Sequence, residues 1–336
     1  MGAITPTVRS ISDLARIAGV SISTVSRALT GKGTLNQQTR DRIRALAAEH
    51  GFRLNVAAQN LRLGRTGAIA VLLPLGHERA QHLSDPFLST MIGHLADALS
   101  DKGYDLLLSR VLPEEDHWLE EFVVSGRVDG IIVIGQSDQN DVLNRAATHY
   151  RSMVVWGAYD PDNMYTTVGS DNFAGGMMAA RHLLQRGCKT MAWFGHGDAP
   201  EFQARKTGFL AGLPDELRKN VEIIPIPITP EGSHAAAQAY FTLGHRPDGV
   251  FAASDVAAMS VCAAATQNGI SIPDDMAVVG FDDILLARYA SPPLTTVRQD
   301  IESGARMLVD LLTRRMAGGD TQSVQFAPRL IVRESA

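Results

Sequence analysis

Between Ala68 and Gly280 short apolar runs recur along the chain: Ile69–Leu75, Tyr104–Ser109, Gly130–Ile134, Met153–Gly157, Met191–Gly195, Gly249–Ala253 and Ala277–Gly280. Runs this short, without alternation, predict strands covered on both faces. Between them lie stretches with helical spacing of apolar residues: Ser89–Lys102, Ala174–Arg186, Gly208–Leu213, His234–Thr242 and Val256–Gly269. Strands alternating with amphipathic helices imply a mostly parallel sheet flanked by helices. The units are too many for one small sheet, so two α/β lobes are expected, with a ligand crevice at the carboxyl ends of the strands.

The first fifty residues follow a different period. Ser12 is placed as the cap of a helix over Asp13–Ala18, with Leu14, Ala15 and Ala18 as its apolar stripe and Gly19 as its end. Ser21 caps a second helix, Ile22–Leu29, which turns Val25, Ala28 and Leu29 inward before the turn Gly31–Gly33. A third, Gln37–His50, starts near Asn36, buries Ile43, Leu46 and Ala47, and leaves Arg40, Arg42 and Arg44 outside. Helix, glycine turn, helix is the helix-turn-helix pattern, although the spacing also suits a small helical protein-interaction domain. Read as a DNA-binding element, the second helix presents Ile22 to a thymine methyl, Ser23 to base edges and Arg27 to guanine O6 and N7 or to a phosphate. Ser21, Thr24 and Ser26 suit phosphate contacts that fix register.

Charge supports the DNA reading once the chain is divided. The net charge is -5. Residues 1–65 nevertheless carry ten Lys and Arg against three acids, or +7, and the remaining residues carry 21 against 33, or -12. A basic head on an acidic body is the footprint of a DNA-binding module joined to something that avoids DNA. Two cysteines, Cys188 and Cys262, show no metal spacing and suit a reduced, cytoplasmic setting. No apolar run is long enough for a signal peptide or a membrane span, so neither export nor a membrane partner is expected. No GxSxG elbow, P-loop or GxGxxG is present, so no enzyme and no cofactor are expected. The glycines of DNFAGGMMAARHL suit close packing at a helix start more simply than anion binding.

The run SISDLARIAGVSISTVSRALTGKGTLNQQTRDRIRALAAEHGF resembles the DNA-binding head of the lactose-repressor/galactose-repressor family, with AGVS and STVSRALTG its most specific stretch. The similarity continues through NVAAQNLRLGRTGAIAVLLP, DNFAGG, FAASDVAAM, VVGFDD, PPLTTVRQD and RLIVRES, nearly the whole chain. The resemblance implies a small all-α helix-turn-helix head on an α/β two-lobed, periplasmic-binding-protein-like core with parallel sheets. The expected boundaries are a tail at 1–10, a DNA-binding domain at 11–54, a hinge at 55–66 and a core at 67–336. Its first lobe comprises about 67–168 and 299–328, and its second about 169–298 and 329–336.

The family's hinge is a helix that orders only on operator DNA and enters the minor groove as a pair. Here Asn55 caps it, Val56, Ala57 and Ala58 give a small apolar face, and Leu61 is the wedge that kinks the duplex. A segment this short is marginal as an isolated helix. Where the family commonly has proline before that asparagine this chain has Leu54, which removes a preset backbone angle.

In the core, Arg205 matches the arginine with which family members hold an effector, and Asp282 an acid that accepts ligand hydroxyls. Asp255 lies at a third strand end, where an acid equally suits capping the helix from Val256. Asp85-Pro86-Phe87 stands where members show Asn-Pro-Phe, after a polar, insertion-like stretch containing His77, Glu78, Gln81 and His82. Trp193 and Trp156 suit core packing, with stacking on a pyranose face open to Trp193, Phe202 or His196. The resemblance thus implies a repressor partnered by operator double-stranded DNA and by a sugar or glycoside. A purine or other metabolite is the alternative effector, although the sequence does not locate the aromatic sandwich of the purine-binding members. A periplasmic-type solute-binding protein would explain the body but not the basic head. Tetrameric members carry a leucine heptad extension, and the ending at Arg333–Ala336 leads to a homodimer as the expectation.

Overall fold

The computed structural model describes residues 8, 10–31, 33–52, 64–75, 80–113, 115, 117–196 and 199–336. The chain separates into two compact units, Met1–Arg65 and Thr66–Ala336.

The first unit is three helices, α1 (Ile11–Ala18), α2 (Ile22–Thr30) and α3 (Gln37–Glu49), closed over Leu14, Val25, Ala28 and Ile43. Helix α1 starts at Ser10, not Ser12. The Ser10 hydroxyl accepts from the Asp13 amide (3.1 Å) while the Asp13 carboxylate accepts from the Ser10 amide (3.1 Å). Asp13 is therefore the returning arm of a capping box rather than the first helical residue. Gly19 and Gly31 close α1 and α2 at φ +66° and +74°, a conformation that favours glycine. Two of the arginines expected to face only outward also brace the bundle: Arg42 donates to the Ala18 carbonyl (2.9 Å) and Arg44 to the Ala28 carbonyl (3.2 Å).

The second unit begins with β1 (Ala68–Pro74), α4 (Pro86–Asp101), β2 (Asp105–Val111), α5 (Trp118–Val124), β3 (Gly130–Ile134), α6 (Asn140–Ala147), β4 (Met153–Trp156) and β5 (Thr166–Ser170). It continues with α7 (Asn172–Gln185), β6 (Met191–Gly195), α8 (Pro200–Ala211), α9 (Asp215–Arg218), β7 (Glu222–Pro225), α10 (Pro230–Thr242), β8 (Gly249–Ala252) and α11 (Asp255–Gln267). It closes with β9 (Ala277–Asp282), α12 (Leu285–Tyr289), β10 (Thr295–Arg298), α13 (Ile301–Met316), β11 (Val324–Phe326) and β12 (Arg329–Ile331). Two six-stranded sheets result, ordered β11-β5-β4-β3-β1-β2 and β12-β10-β9-β8-β6-β7. The second order is the first with β1–β5 replaced by β6–β10 and β11 by β12, so the two lobes share one strand order and differ only in the direction of the last strand. All pairings are parallel except β10 with β12. The chain passes between lobes after β5, after β10 and between β11 and β12.

Three helices begin earlier than expected. Helices α4, α8 and α10 open on Pro86, Pro200 and Pro230, not at Ser89, Gly208 and His234. Proline has no amide hydrogen to lose in the first turn and its fixed φ suits that position. Glycines set one close approach: a Cβ on Gly176 of α7 would lie 2.1 Å from the Arg205 carbonyl oxygen, and one on Gly208 of α8 2.0 Å from that of Phe173. Gly176 of DNFAGG and Gly208 thus let α7 and α8 pack backbone to backbone, while Gly175 makes room for the Phe281 ring.

Candidate effector cleft and DNA-facing helix

The ends of β1, β3, β4 and β9, with the first turns of α4 and α8, surround a cavity of about 780 Å³, counting the space open to solvent. This is where an open α/β sheet presents strand-end side chains to a ligand. One wall, from the first lobe, carries Phe87 and Trp156, whose rings lie 6.3 Å apart. The facing wall carries Phe202, Arg205 and Asp282, with Gln299 at a crossover between lobes.

Arg205 is buried and held from three sides. Its Nε donates to Asn172 Oδ1 (2.8 Å) and its Nη1 to the Ala253 carbonyl (2.6 Å), while its guanidinium carbon stands 3.8 Å from the Phe281 ring centroid. Nη2 makes no hydrogen bond among the described residues. Nη1 lies 3.8 Å from Asp282 Oδ1, close enough for attraction but not for a hydrogen bond. Burial lowers the Arg205 pKa, opposed by the carboxylates of Asp282, Glu201 and Asp255.

Asp282 ends β9 at φ +121°, a strained angle for a residue with a side chain. Its Oδ1 accepts from Gln299 Nε2 (2.7 Å). Burial pushes its pKa from 3.8 to about 7, against the pull of Arg205 and Gln299. Asp85 caps α4, accepting from the amides of Phe87 (3.0 Å) and Leu88 (3.2 Å), and burial raises its pKa too. Glu201, one turn before Arg205 on α8, is likewise raised by burial. A guanidinium with one free arm, set among carboxylates and aromatic faces, can bind a neutral polar molecule. Its parts do not form a nucleophile–base pair.

Five of the seven expected effector residues therefore line one cavity: Asp85, Phe87, Phe202, Arg205 and Asp282. Two do not. Trp193, the third residue of β6, is 1% exposed and packs edge-on against Phe251 at 5.0 Å in the second lobe's core. Asp255 is fully buried, and its carboxylate accepts from the Ile284 amide (2.8 Å) and the Thr296 hydroxyl. Nor is Asp255 the helix cap: Ser254 caps α11, accepting from the Ala257 amide (3.2 Å). Asp255 braces α11 against β10 and the turn after β9, and burial beside Asp282 holds its pKa well above the usual range.

Sequence reading missed Glu201 and Gln299; Trp156 is buried in the first lobe's core as expected, and it also lines the cavity. Pro200 as first residue of α8 was the available signal, since it sets Glu201 and Arg205 at i and i+4 on one helix face. Trp156 is the last residue of β4, where a side chain reaches the cleft. Of the preceding loop, Gln81 lines the cavity, whereas His77 and Glu78 lie outside the described residues.

In the first unit the Ser21 hydroxyl accepts from the Thr24 amide (3.2 Å) to start α2, and shares hydrogen bonds of 2.8 Å with the hydroxyls of Ser23 and Thr24. Opposite the buried Val25 and Ala28, the same helix exposes Ile22, Ser23 and Arg27, with Thr24 and Ser26 half-buried. Ile22 is 44% exposed, an apolar side chain without a core to join. Asn55, Ala58 and Leu61, together with Leu54, lie outside the described residues.

Comparison with known proteins adds the following. A profile described as bacterial regulatory proteins, lacI family, matches residues 10–55, and one described as a periplasmic binding protein-like domain matches residues 180–336. The HTH-type transcriptional repressor PurR of Escherichia fergusonii is 30% identical over 339 residues, covering 97% of this chain and 96% of that protein. Among solved structures, a complex of the transcriptional regulator CelR with cellobiose has a TM-score of 0.68 at 26% identity, covering 97% of this chain and 99% of the other. The lac repressor dimer bound to operator and the anti-inducer ONPF has a TM-score of 0.82, covering 97% and 98%; at 21% identity it is alike in fold.

Proposed function

This chain belongs to the LacI family of bacterial regulatory proteins, a DNA-binding transcriptional regulator with an effector-binding core and not an enzyme, and from that premise we propose that it is a homodimeric repressor controlled by a sugar or glycoside. The observation that carries the effector reading is the Arg205–Asp282 pair. Its members stand 3.8 Å apart on one wall of a cavity that is also lined by Phe87, Trp156 and Phe202. A carboxylate accepts from vicinal hydroxyls, a free guanidinium arm donates to them, and an aromatic ring covers the apolar face of a pyranose.

On the DNA side, Ile22, Ser23 and Arg27 read base edges of one half-site, and Ser21, Thr24 and Ser26 hold phosphates. Asn55, Ala58 and Leu61 belong to a hinge over 55–66 that enters the minor groove, between a head over 11–54 and a core over 67–336. The dimer is supported by apolar residues left exposed on the second lobe, among them Leu285 (68%), Leu286 (52%) and Tyr289 (74%) of α12. No described helix is long and apolar enough to cross a membrane, and the work is done where the DNA is, in the cytoplasm. Effector binding alters lobe closure, and the reciprocal coupling between the two sites has a typical size of about 1–3 kcal/mol.

A purine is the second reading, favoured by Phe87 and Trp156 on one wall facing Phe202 on the other, aromatic cover for a flat ring. One experiment separates the two. Thermal melts of the full chain are run with mono- and disaccharides and with purine bases, and repeated on Asp282→Ala. A bound sugar at 100 times its Kd stabilises by about 2.7 kcal/mol, and Asp282→Ala abolishes the shift. Stabilisation by purine bases alone would overturn the sugar assignment.

A further inference from the structure

The two lobes share not only their strand order but also a short motif. Arg127-Val128-Asp129-Gly130 leads into β3, and Arg246-Pro247-Asp248-Gly249 leads into β8, its counterpart in the other sheet. The aspartates make the same contacts. In the second lobe the Asp248 carboxylate accepts from the amides of Lys189 (2.9 Å) and Thr190 (2.7 Å), the residues entering β6. In the first lobe the Asp129 carboxylate accepts from the amides of Thr66 (2.7 Å) and Gly67 (2.9 Å), the residues entering β1, and from the Thr66 hydroxyl (3.1 Å).

The clasp in the first lobe is double-sided. The Asp129 amide donates to the Ala68 carbonyl (2.8 Å) and the Asp105 amide to the Gly67 carbonyl (2.9 Å). Gly67 holds the bend between them at φ +76°. Two amides and a hydroxyl converging on one carboxylate form a charge-assisted set, stronger than the same bonds to a neutral acceptor.

Identical chemistry has different consequences at the two places. The residues held by Asp248 connect α7 to β6, so both ends of that segment are already part of the core. Those held by Asp129 are the first of the second unit, which begins at Thr66. Everything N-terminal to them belongs to the linker and the DNA-binding unit. We infer that Asp129 is a positioning residue for DNA binding: its carboxylate fixes the point from which the linker leaves the core. The inference rests on the DNA-binding role of the family and on the homodimer proposed above, and on no particular effector.

The physical argument is one of tethering. Two heads on one dimer bind a palindrome together only as well as their tethers restrict them, and a tether lengthened by loosened residues lowers the effective concentration of the second head. Re-ordering Thr66 and Gly67 on the DNA adds an entropic cost on the order of tenfold in affinity per residue.

The test uses the full chain and a duplex enriched by the wild-type protein from a random-sequence pool, with binding followed by fluorescence anisotropy. Asp129→Ala is expected to bind that duplex at least about tenfold more weakly. Asp248→Ala is expected to lower the melting temperature of the core comparably yet to stay within about twofold of wild type on DNA. Equal losses in the two variants, or Asp129→Ala within twofold of wild type, would overturn the assignment. Should Asp129→Ala not fold, Asp129→Asn serves, read by hydrogen exchange: protection at Thr66 and Gly67 falls while that at Lys189 and Thr190 stays. Free-peptide exchange of Thr66 and Gly67 in the wild-type chain also overturns it. If the wild type enriches no duplex, it is the DNA-binding reading that fails, and the exchange measurement still decides the clasp.

Discussion

Replacing Asp282 by asparagine is expected to stabilise the protein at alkaline pH while removing its effector response. Asp282 is 5% exposed, and burial carries its pKa from 3.8 to about 7 even with Arg205 and Gln299 at hand. An acid whose folded pKa lies above its unfolded value keeps its proton better when folded. Stability therefore falls as pH rises from about 4 to about 7 and is level above that. Three pH units at about 1.36 kcal/mol each correspond to about 4 kcal/mol. Asparagine keeps the shape and a carbonyl for Gln299 to donate to, but carries no charge to desolvate. Urea unfolding of both proteins at pH 5, 6, 7 and 8 measures the difference. The curves are expected to lie close together at pH 5 and to separate with rising pH, the variant being more stable at pH 8 by up to about 4 kcal/mol. The variant curve will not be flat, because Asp255, Asp85 and Glu201 are also raised by burial. Parallel curves, or a variant less stable at pH 8, would refute the view that the cleft holds this carboxylate at a cost.

Two further outcomes are expected. Gly176→Ala places a methyl 2.1 Å from the Arg205 carbonyl oxygen and 2.7 Å from the Phe209 amide nitrogen, so α8 must shift and carry Glu201 and Arg205 with it. A loss of about 1–3 kcal/mol or more in urea unfolding, with weakened effector binding, is the expectation, and an unchanged midpoint contradicts it. Arg27→Ala should lower the ratio of affinities for an enriched over a random duplex by about 1–3 kcal/mol. A parallel loss on both duplexes would make Arg27 a phosphate contact only.

What could be read beforehand, and what could not, follows from how each signal arises. Strands covered on both faces write themselves as apolar runs, which is why β1, β3, β4, β6 and β8 were legible to within two residues. Strand β5 (TTVGS) and β10 (TTVR) are nearly as buried but spell their positions with threonine, and β7 (EIIP) is an exposed edge ending in proline. The starts of α4, α8 and α10 were read too late, because each helix opens on a proline that precedes its clear apolar periodicity. In the cleft, Arg205 and Asp282 were identified through family resemblance, and only the fold shows them 3.8 Å apart. Trp193 was assigned to the cleft, and the cleft-lining role of Trp156 passed over, for a nameable reason. Composition cannot separate a ring at the last position of a strand, as in Trp156, from one at the middle of a strand, as in Trp193. Asp255 was misjudged because an acid after a strand looks the same whether it faces a ligand or a neighbouring amide.

The crossings between lobes also bear on how the chain comes to be folded. Helix α13 supplies Ile301, Ala305, Leu308, Val309, Leu311 and Leu312 to the core that also holds Leu73, Ile132 and Val154 of the first sheet. On a ribosome, β1–β5 emerge first, but the helix that covers this face follows only after the whole of β6–β10 has been made. The nascent first lobe therefore waits with this side only partly covered, by Leu88, Met91, Leu95 and Leu99 of α4, whereas the second lobe is synthesised almost without interruption. Chaperone demand and aggregation during synthesis should accordingly concentrate on the first lobe, and destabilising changes in α13 should lower yield from cells more than they lower the stability of the purified protein.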